Sequence, residues 1–302
     1  MVGALTATAQ EAVSQDAEQQ PLAAESLLLD VLQTANGRFV AVGERGHVVL
    51  SDNAEEWQQA ARVPTRSTLT SVTAVGDKLW AAGHDSVIIA SEDGGENWTR
   101  QFFDPERQQP ILDIHFFDEN NGFAMGAYAL MLRTRDGGQT WEEHYVSDEE
   151  WHLNGLVDLG QGQLIIAGEA GYSYISSDQG ESWEVVELPY LGSMFSAVSN
   201  GDCVLAYGLR GNVQESCDAG ASWSQLDSPT EASLAGGAMQ NGSVMLVGNS
   251  GQLLERRSDG QFVATLHPSG MDFAAVLPLR EGEWLLVGEG GTYRYPPREG
   301  AR

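Results

Sequence analysis

Residues 79–98 read LWAAGHDSVIIASEDGGENW, and this stretch decides the fold. An apolar run ends on Gly83, a short turn follows, a second apolar run fills residues 87–90, and an Asp-Gly-Gly turn leads to Trp98. Two apolar runs joined by so short a turn describe a β-hairpin. Working outward, the glycine-terminated run recurs as FVAVG at Gly43, GFAMG at Gly126, LIIAG at Gly168, VLAYG at Gly208, VMLVG at Gly248 and WLLVG at Gly288. The steps between successive glycines are 40, 43, 42, 40, 40 and 40 residues. A period this regular is the signature of a repeat architecture.

The rest of each repeat fills in around the hairpin. A turn glycine stands three residues after the first in five copies (Gly46, Gly171, Gly211, Gly251, Gly291), with Ser86 and Ala129 in its place in the other two. Glycine there supplies a positive φ. One short apolar run precedes each hairpin and a Trp-initiated run usually follows, which makes four strands per repeat. A sheet of four short strands cannot bury both faces alone, but sheets packed face to face around an axis can. The expectation is an all-β, seven-bladed β-propeller of four-stranded antiparallel blades. The last repeat ends soon after Tyr295, so its fourth strand is expected from residues 20–25, closing the ring with an N-terminal strand. Residues 20–302 then form one propeller domain, and residues 1–19 a flexible leader or signal-peptide remnant.

A second motif sits between the third and fourth strands. It reads SEDGGENW (91–98), TRDGGQTW (134–141), SSDQGESW (176–183) and SCDAGASW (216–223). The pattern S/T-x-D-x-G-x-x-W is the Asp box, with Asp93, Gly95 and Trp98; Asp136, Gly138 and Trp141; Asp178, Gly180 and Trp183; and Asp218, Gly220 and Trp223. A degenerate copy runs from Asp52 to Trp57 with Ala54 in place of the glycine, and another starts at Asp259 with Phe262 as its aromatic residue. The carboxylate accepts hydrogen bonds from amides of its own turn, and the glycine permits a left-handed backbone. A residue set that recurs blade after blade on one rim serves the fold and is not a catalytic site.

Together the hairpin glycines and Asp boxes resemble the photosystem II assembly and stability factors and their non-photosynthetic bacterial relatives, the BNR-repeat propellers. The resemblance spans about Leu27 to Tyr295. It implies a seven-bladed propeller without enzymatic activity or cofactor, acting as an exported or periplasmic scaffold for a membrane-protein complex. The photosynthetic branch carries an arginine-rich surface patch, and no such concentration is found here.

Composition narrows the partners. There are 43 acidic and 16 basic residues, Lys78 is the single lysine, and the net charge is −27. Such a surface repels nucleic-acid phosphates and anionic headgroups. No run approaches the roughly 18 apolar residues of a membrane-spanning helix, so direct insertion is not expected and a soluble monomer is. The Asp box is shared with sialidases, whose chemistry needs an arginine cluster and a carboxylate pair. The inner strands read here carry no arginine, so a carbohydrate-binding or glycan-processing propeller is the alternative rather than the first reading. The six histidines lack metal-ligand spacing, although His144 and His152 flank one acidic loop.

Propeller partners usually dock on the face that carries the loops between blades and the turns after each second strand. On that face the candidate contacts are Arg45, His84, Tyr128, Trp151, Tyr190, Phe195 and Arg210. Cys203 and Cys217 lie symmetrically about a hairpin centred on Arg210, which makes them cross-strand neighbours and a possible disulfide.

Overall fold

A computed structural model describes residues 16–296. Among these residues seven antiparallel sheets follow one another, six of four strands and a last of three. The inner strands of blades one to seven are Leu28–Gln33, Leu69–Val75, Ile111–Phe116, Leu153–Gly160, Met194–Ser199, Leu234–Gln240 and Phe273–Pro278. The second strand of each blade is the glycine-terminated run, buried over its last five residues. It reads as unbroken apolar sequence because each of its faces meets a neighbouring blade. Val40 and Val42 pack toward blade two, whereas Phe39 and Ala41 pack toward blade seven. Seven such clusters, one per junction, make up the core.

The recurrent glycine does not itself turn the chain. Gly248 is extended (φ −170°), and a Cβ there would overlap the Ser233 carbonyl at the entry to the same blade. The left-handed conformation comes two and three residues later, as at Arg45 (φ 57°) and Gly46 (φ 72°). Ser86 (φ 49°) and Ala129 (φ 54°) hold it without a glycine.

Ring closure differs from the expectation of an N-terminal strand. Residues 20–25 form no strand; Ala23–Glu25 is a 3-10 turn whose Ala24 carbonyl lies against Gly291, and the last sheet keeps three strands. The preceding residues run along blade one instead, where the Ala17 amide donates to the Val63 carbonyl (2.8 Å) and Gln19 Nε2 to that of Ala60 (2.8 Å). Blades seven and one are joined by side chains: Ala23, Leu28, Val31, Phe39 and Ala41 pack on Leu285 and Val287. Arg294 adds an ion pair to Glu55 (3.3 Å) and donates to the Asn53 carbonyl (2.8 Å). The expected leader otherwise lies outside the described residues.

Candidate interaction face and channel

One rim of the ring carries the Asp boxes. In the fourth blade Ser176 Oγ donates to Asp178 Oδ1 (2.8 Å), which also accepts from the Ser182 amide (2.9 Å), while Asp178 Oδ2 accepts from the Ser182 hydroxyl (2.6 Å). The Gly180 amide donates back to Ser176 Oγ (2.8 Å). The boxes of Asp93, Asp136 and Asp218 repeat this network. Ser182 above all holds the Asp178 carboxyl down at about 2, and Asp136 and Asp218 are lowered by their own Thr140 and Ser222. The box tryptophans pack between blades: Trp98 is buried in the one–two junction, and Trp141, Trp183 and Trp223 lie against the next three.

The first blade corrects the motif alignment. Asp52 points outward to Arg38 (3.2 Å), and Asn53 takes the place of the box carboxylate, its Oδ1 accepting from the amides of Glu55 (2.8 Å) and Glu56 (2.9 Å). Ala54 (φ 57°) matches the residue before the box glycine, as Ala219 (φ 56°) does, so the glycine position itself is deleted. Several arginines are engaged on this rim: Arg38 pairs with Glu96 (3.0 Å) of the next blade, and Arg133 with Glu181 (2.7 Å).

The opposite rim carries the turns after each second strand. In every blade an amide of this turn donates to a carbonyl at the entry of its own inner strand, for example Glu44 to Leu27 (3.0 Å) and His84 to Thr68 (2.9 Å). This anchors the turns while their side chains project. Arg45, His84 and Arg210 are exposed there, on blades one, two and five. Tyr128 and Trp151 come together on blades three and four. Tyr128 is 55% exposed and meets His152 edge-on (5.1 Å between ring centres), and Trp151 stacks on Tyr172 (6.5 Å). The Ala129 amide donates to the Trp151 carbonyl (3.0 Å), linking the two turns. Tyr190 is half-buried against the four–five junction, and Phe195 lies in the wall of the central channel. His144 and His152 part company: His144 Nε2 donates to the Gly180 carbonyl (2.6 Å), whereas His152 Nδ1 faces Glu169 (3.7 Å).

The carboxylates lining the central channel are what sequence reasoning missed. Every inner strand has a register shift at its second residue. This bulge turns two consecutive side chains toward the axis, around a cavity of 380 Å³. The third position is Asp30, Ser71, Asp113, Gly155, Ser196, Gly236 and Ala275 in turn. Asp30 accepts from the amides of Val31 (2.8 Å) and of Val72 in the next blade (2.8 Å). Asp113 Oδ1 accepts from the Ile114 amide (2.9 Å) and the Ser71 hydroxyl (2.8 Å), and its Oδ2 from the Leu156 amide (2.7 Å). Burial pushes the Asp30 carboxyl up to about 7 despite these amides, and the Asp113 charge adds to the rise. Burial likewise raises the Tyr207 phenol, against its hydrogen bond with Ser196. No arginine, lysine or histidine lines the cavity among the described residues. The available signal was a carboxylate inside an otherwise apolar strand.

Cys203 and Cys217 are joined in a disulfide with Cα atoms 4.1 Å apart, one step beyond the Val204–Ser216 pair of the ladder. Glu215 lies beside the two sulfurs but is taken by Arg256 (2.6 Å).

Known proteins share this fold. The family model described as Photosynthesis system II assembly factor YCF48 matches residues 101–276, more than half of the chain. The Photosystem II assembly lipoprotein Ycf48 of Synechococcus sp. (strain CC9902) is 28% identical over 118 residues, covering 39% of this chain and 35% of the relative. The chain therefore aligns with about a third of that relative's length. A solved structure described as "YCF48 bound to D1 peptide" superposes with a TM-score of 0.73 at 18% identity, covering 95% of this chain and 96% of that one. The GH74 enzyme of Niastella koreensis also superposes, with a TM-score of 0.71 at 12% identity over 91% of this chain and 53% of that one. At these identities the two structures establish the fold alone.

Proposed function

This chain belongs to the Photosynthesis system II assembly factor YCF48 family, and from that premise we propose that it is a non-catalytic, exported scaffold that holds a segment of a membrane-protein complex. The observation that carries the reading is the patch of Tyr128 and Trp151 on the rim opposite the Asp boxes. Exposed aromatic residues on anchored turns are the usual core of a protein-binding surface. The Cys203–Cys217 bond supports export, because such bonds persist in oxidising compartments. The solved structure described as "YCF48 bound to D1 peptide" is a precedent for peptide binding on this fold.

The test is capture of membrane proteins from the native envelope by the purified chain and by a Tyr128→Ala/Trp151→Ala variant. The expected result is at least a tenfold loss of a specific partner at unchanged melting temperature. Undiminished recovery of every partner would remove this face from consideration. The two channel carboxylates and the GH74 likeness favour a second reading, a carbohydrate-binding or glycan-processing propeller. Arginine side chains that would grip an acidic sugar are absent from the cavity wall among the described residues. Release of reducing sugar from neutral oligosaccharides, abolished by Asp113→Asn, would restore the second reading over the first.

A further inference from the structure

We propose that the central channel is a binding site for an organic cation, an ammonium or guanidinium group on a short alkyl stem. Resting on the scaffold reading above, we assign that cation to a lysine or arginine side chain of the partner.

The size fits first. A cavity of 380 Å³ lies within the range of about 300–1,000 Å³ typical of small-ligand pockets. Its chemistry is divided. Leu29, Leu112 and Phe195 project from the second positions of their strands, and Asp30 and Asp113 come one residue further in. A collar of Leu29, Leu112, Phe195, Ala235 and Ala274, interrupted by Thr70 and Asn154, stands beside fixed carboxylates and matches a group with a methylene stem and a charged head. Phe195 adds an aromatic ring to the same lining, and aromatic rings attract cations.

The carboxylates are oriented by the fold. Backbone amides from two blades hold Asp30, and amides from two blades together with Ser71 hold Asp113. A carboxylate accepts at about four sites, so each keeps free acceptor capacity within the cavity. Other ligand classes fit worse. An anion would meet two carboxylates and no cation in the wall, under the field of a chain of net charge −27. A neutral apolar ligand would strip water from the carboxylates and give nothing in return. A bare metal ion would want three or more converging ligand atoms, and Asp30 and Asp113 belong to no such group among the described residues.

Calorimetry on the whole chain tests the proposal, with agmatine and n-butylammonium as probes and n-butanol and butyrate as controls. Both cations should bind at least tenfold more tightly than either control. Asp30→Asn/Asp113→Asn should weaken them tenfold or more. Ala274→Arg, which brings its own cation to the collar, should abolish binding while circular dichroism confirms the fold; it keeps the test valid if the double variant does not fold. Binding at pH 7 should also release a proton from Asp30, seen as different heats in phosphate and Tris. Equal binding of butanol and agmatine, or agmatine binding that survives Ala274→Arg, would overturn the site.

A second arm separates the sources of the cation. The peptide acetyl-Gly-Gly-Arg-Gly-Gly-amide should bind, and its norleucine counterpart should not. Binding of agmatine without the peptide would overturn the partner assignment and leave a site for a free amine. Loss of cation binding with partner capture still dependent on Trp151 sinks the channel site alone. Cation binding with capture indifferent to Tyr128 and Trp151 sinks the scaffold face alone.

Discussion

The two rims of this propeller solve opposite problems. On the Asp-box rim the same side chains make the same bonds in blades two to five, and the substitutions in blade one keep the network through Asn53. Toward the channel, one structural position is filled by Asp, Ser, Asp, Gly, Ser, Gly and Ala. Repetition marks what every blade needs in order to fold. Variation at a shared position marks where the ring can hold something that no single blade could.

The sharpest way to break this contrast is to strike a feature that both rims depend on. Gly248→Ala puts a methyl group into the Ser233 carbonyl, and should cost about 3 kcal/mol or more. The melting temperature should fall by roughly 5–10 °C, read by calorimetry; a fall under two degrees would show that the blade entry is pliable. A smaller effect is expected from Cys203→Ser/Cys217→Ser. A loop of about 15 residues sets a ceiling near 3 kcal/mol, and the flanking Val204–Ser216 pairing already closes this one. A loss of about 1–2 kcal/mol should appear in urea titration, with partner capture unchanged because the bond lies on the far rim.

The smallest effect is the most discriminating, because the Asp-box rim and the channel should respond to pH with opposite signs. The box carboxyl of Asp178 is lowered to about 2, so its stabilisation is present above the unfolded value near 4 and is lost as pH falls toward 2. Asp30 is raised to about 7, so the folded state holds its proton more tightly, and stability declines as pH rises from about 4 to 7. Melting curves should therefore show Asp178→Asn flattening the acid limb and Asp30→Asn flattening the decline toward neutrality. The same sign for both variants would refute the assigned environments.

Much of the fold was legible because the period reports burial. A strand with a blade on each face must be apolar throughout, and it must end where the backbone crosses a carbonyl at close range; both leave marks at fixed spacing. Register follows by counting, which is how Cys203 and Cys217 face each other. The patch was half legible: Tyr128 and Trp151 stand out as aromatic residues in loops, while the half-burial of Tyr190 depends on neighbours distant in the chain. Asp52 was misplaced because a deletion shifted the motif by one residue, and hydrogen bonding alone revealed Asn53 as the functional equivalent.

The sequence by itself determined the number of blades, their hairpins, the Asp boxes and the facing of the cysteines, since each depends on contacts within a repeat or on the repeat itself. Tertiary structure alone decided that, among the described residues, blades seven and one meet through side chains with no added strand, and that Asp30 and Asp113 meet the same axial cavity from different blades. Neither follows from periodicity. A shared cavity forms where repeats differ, and the bulge that turns those residues inward becomes visible only once the strands are paired.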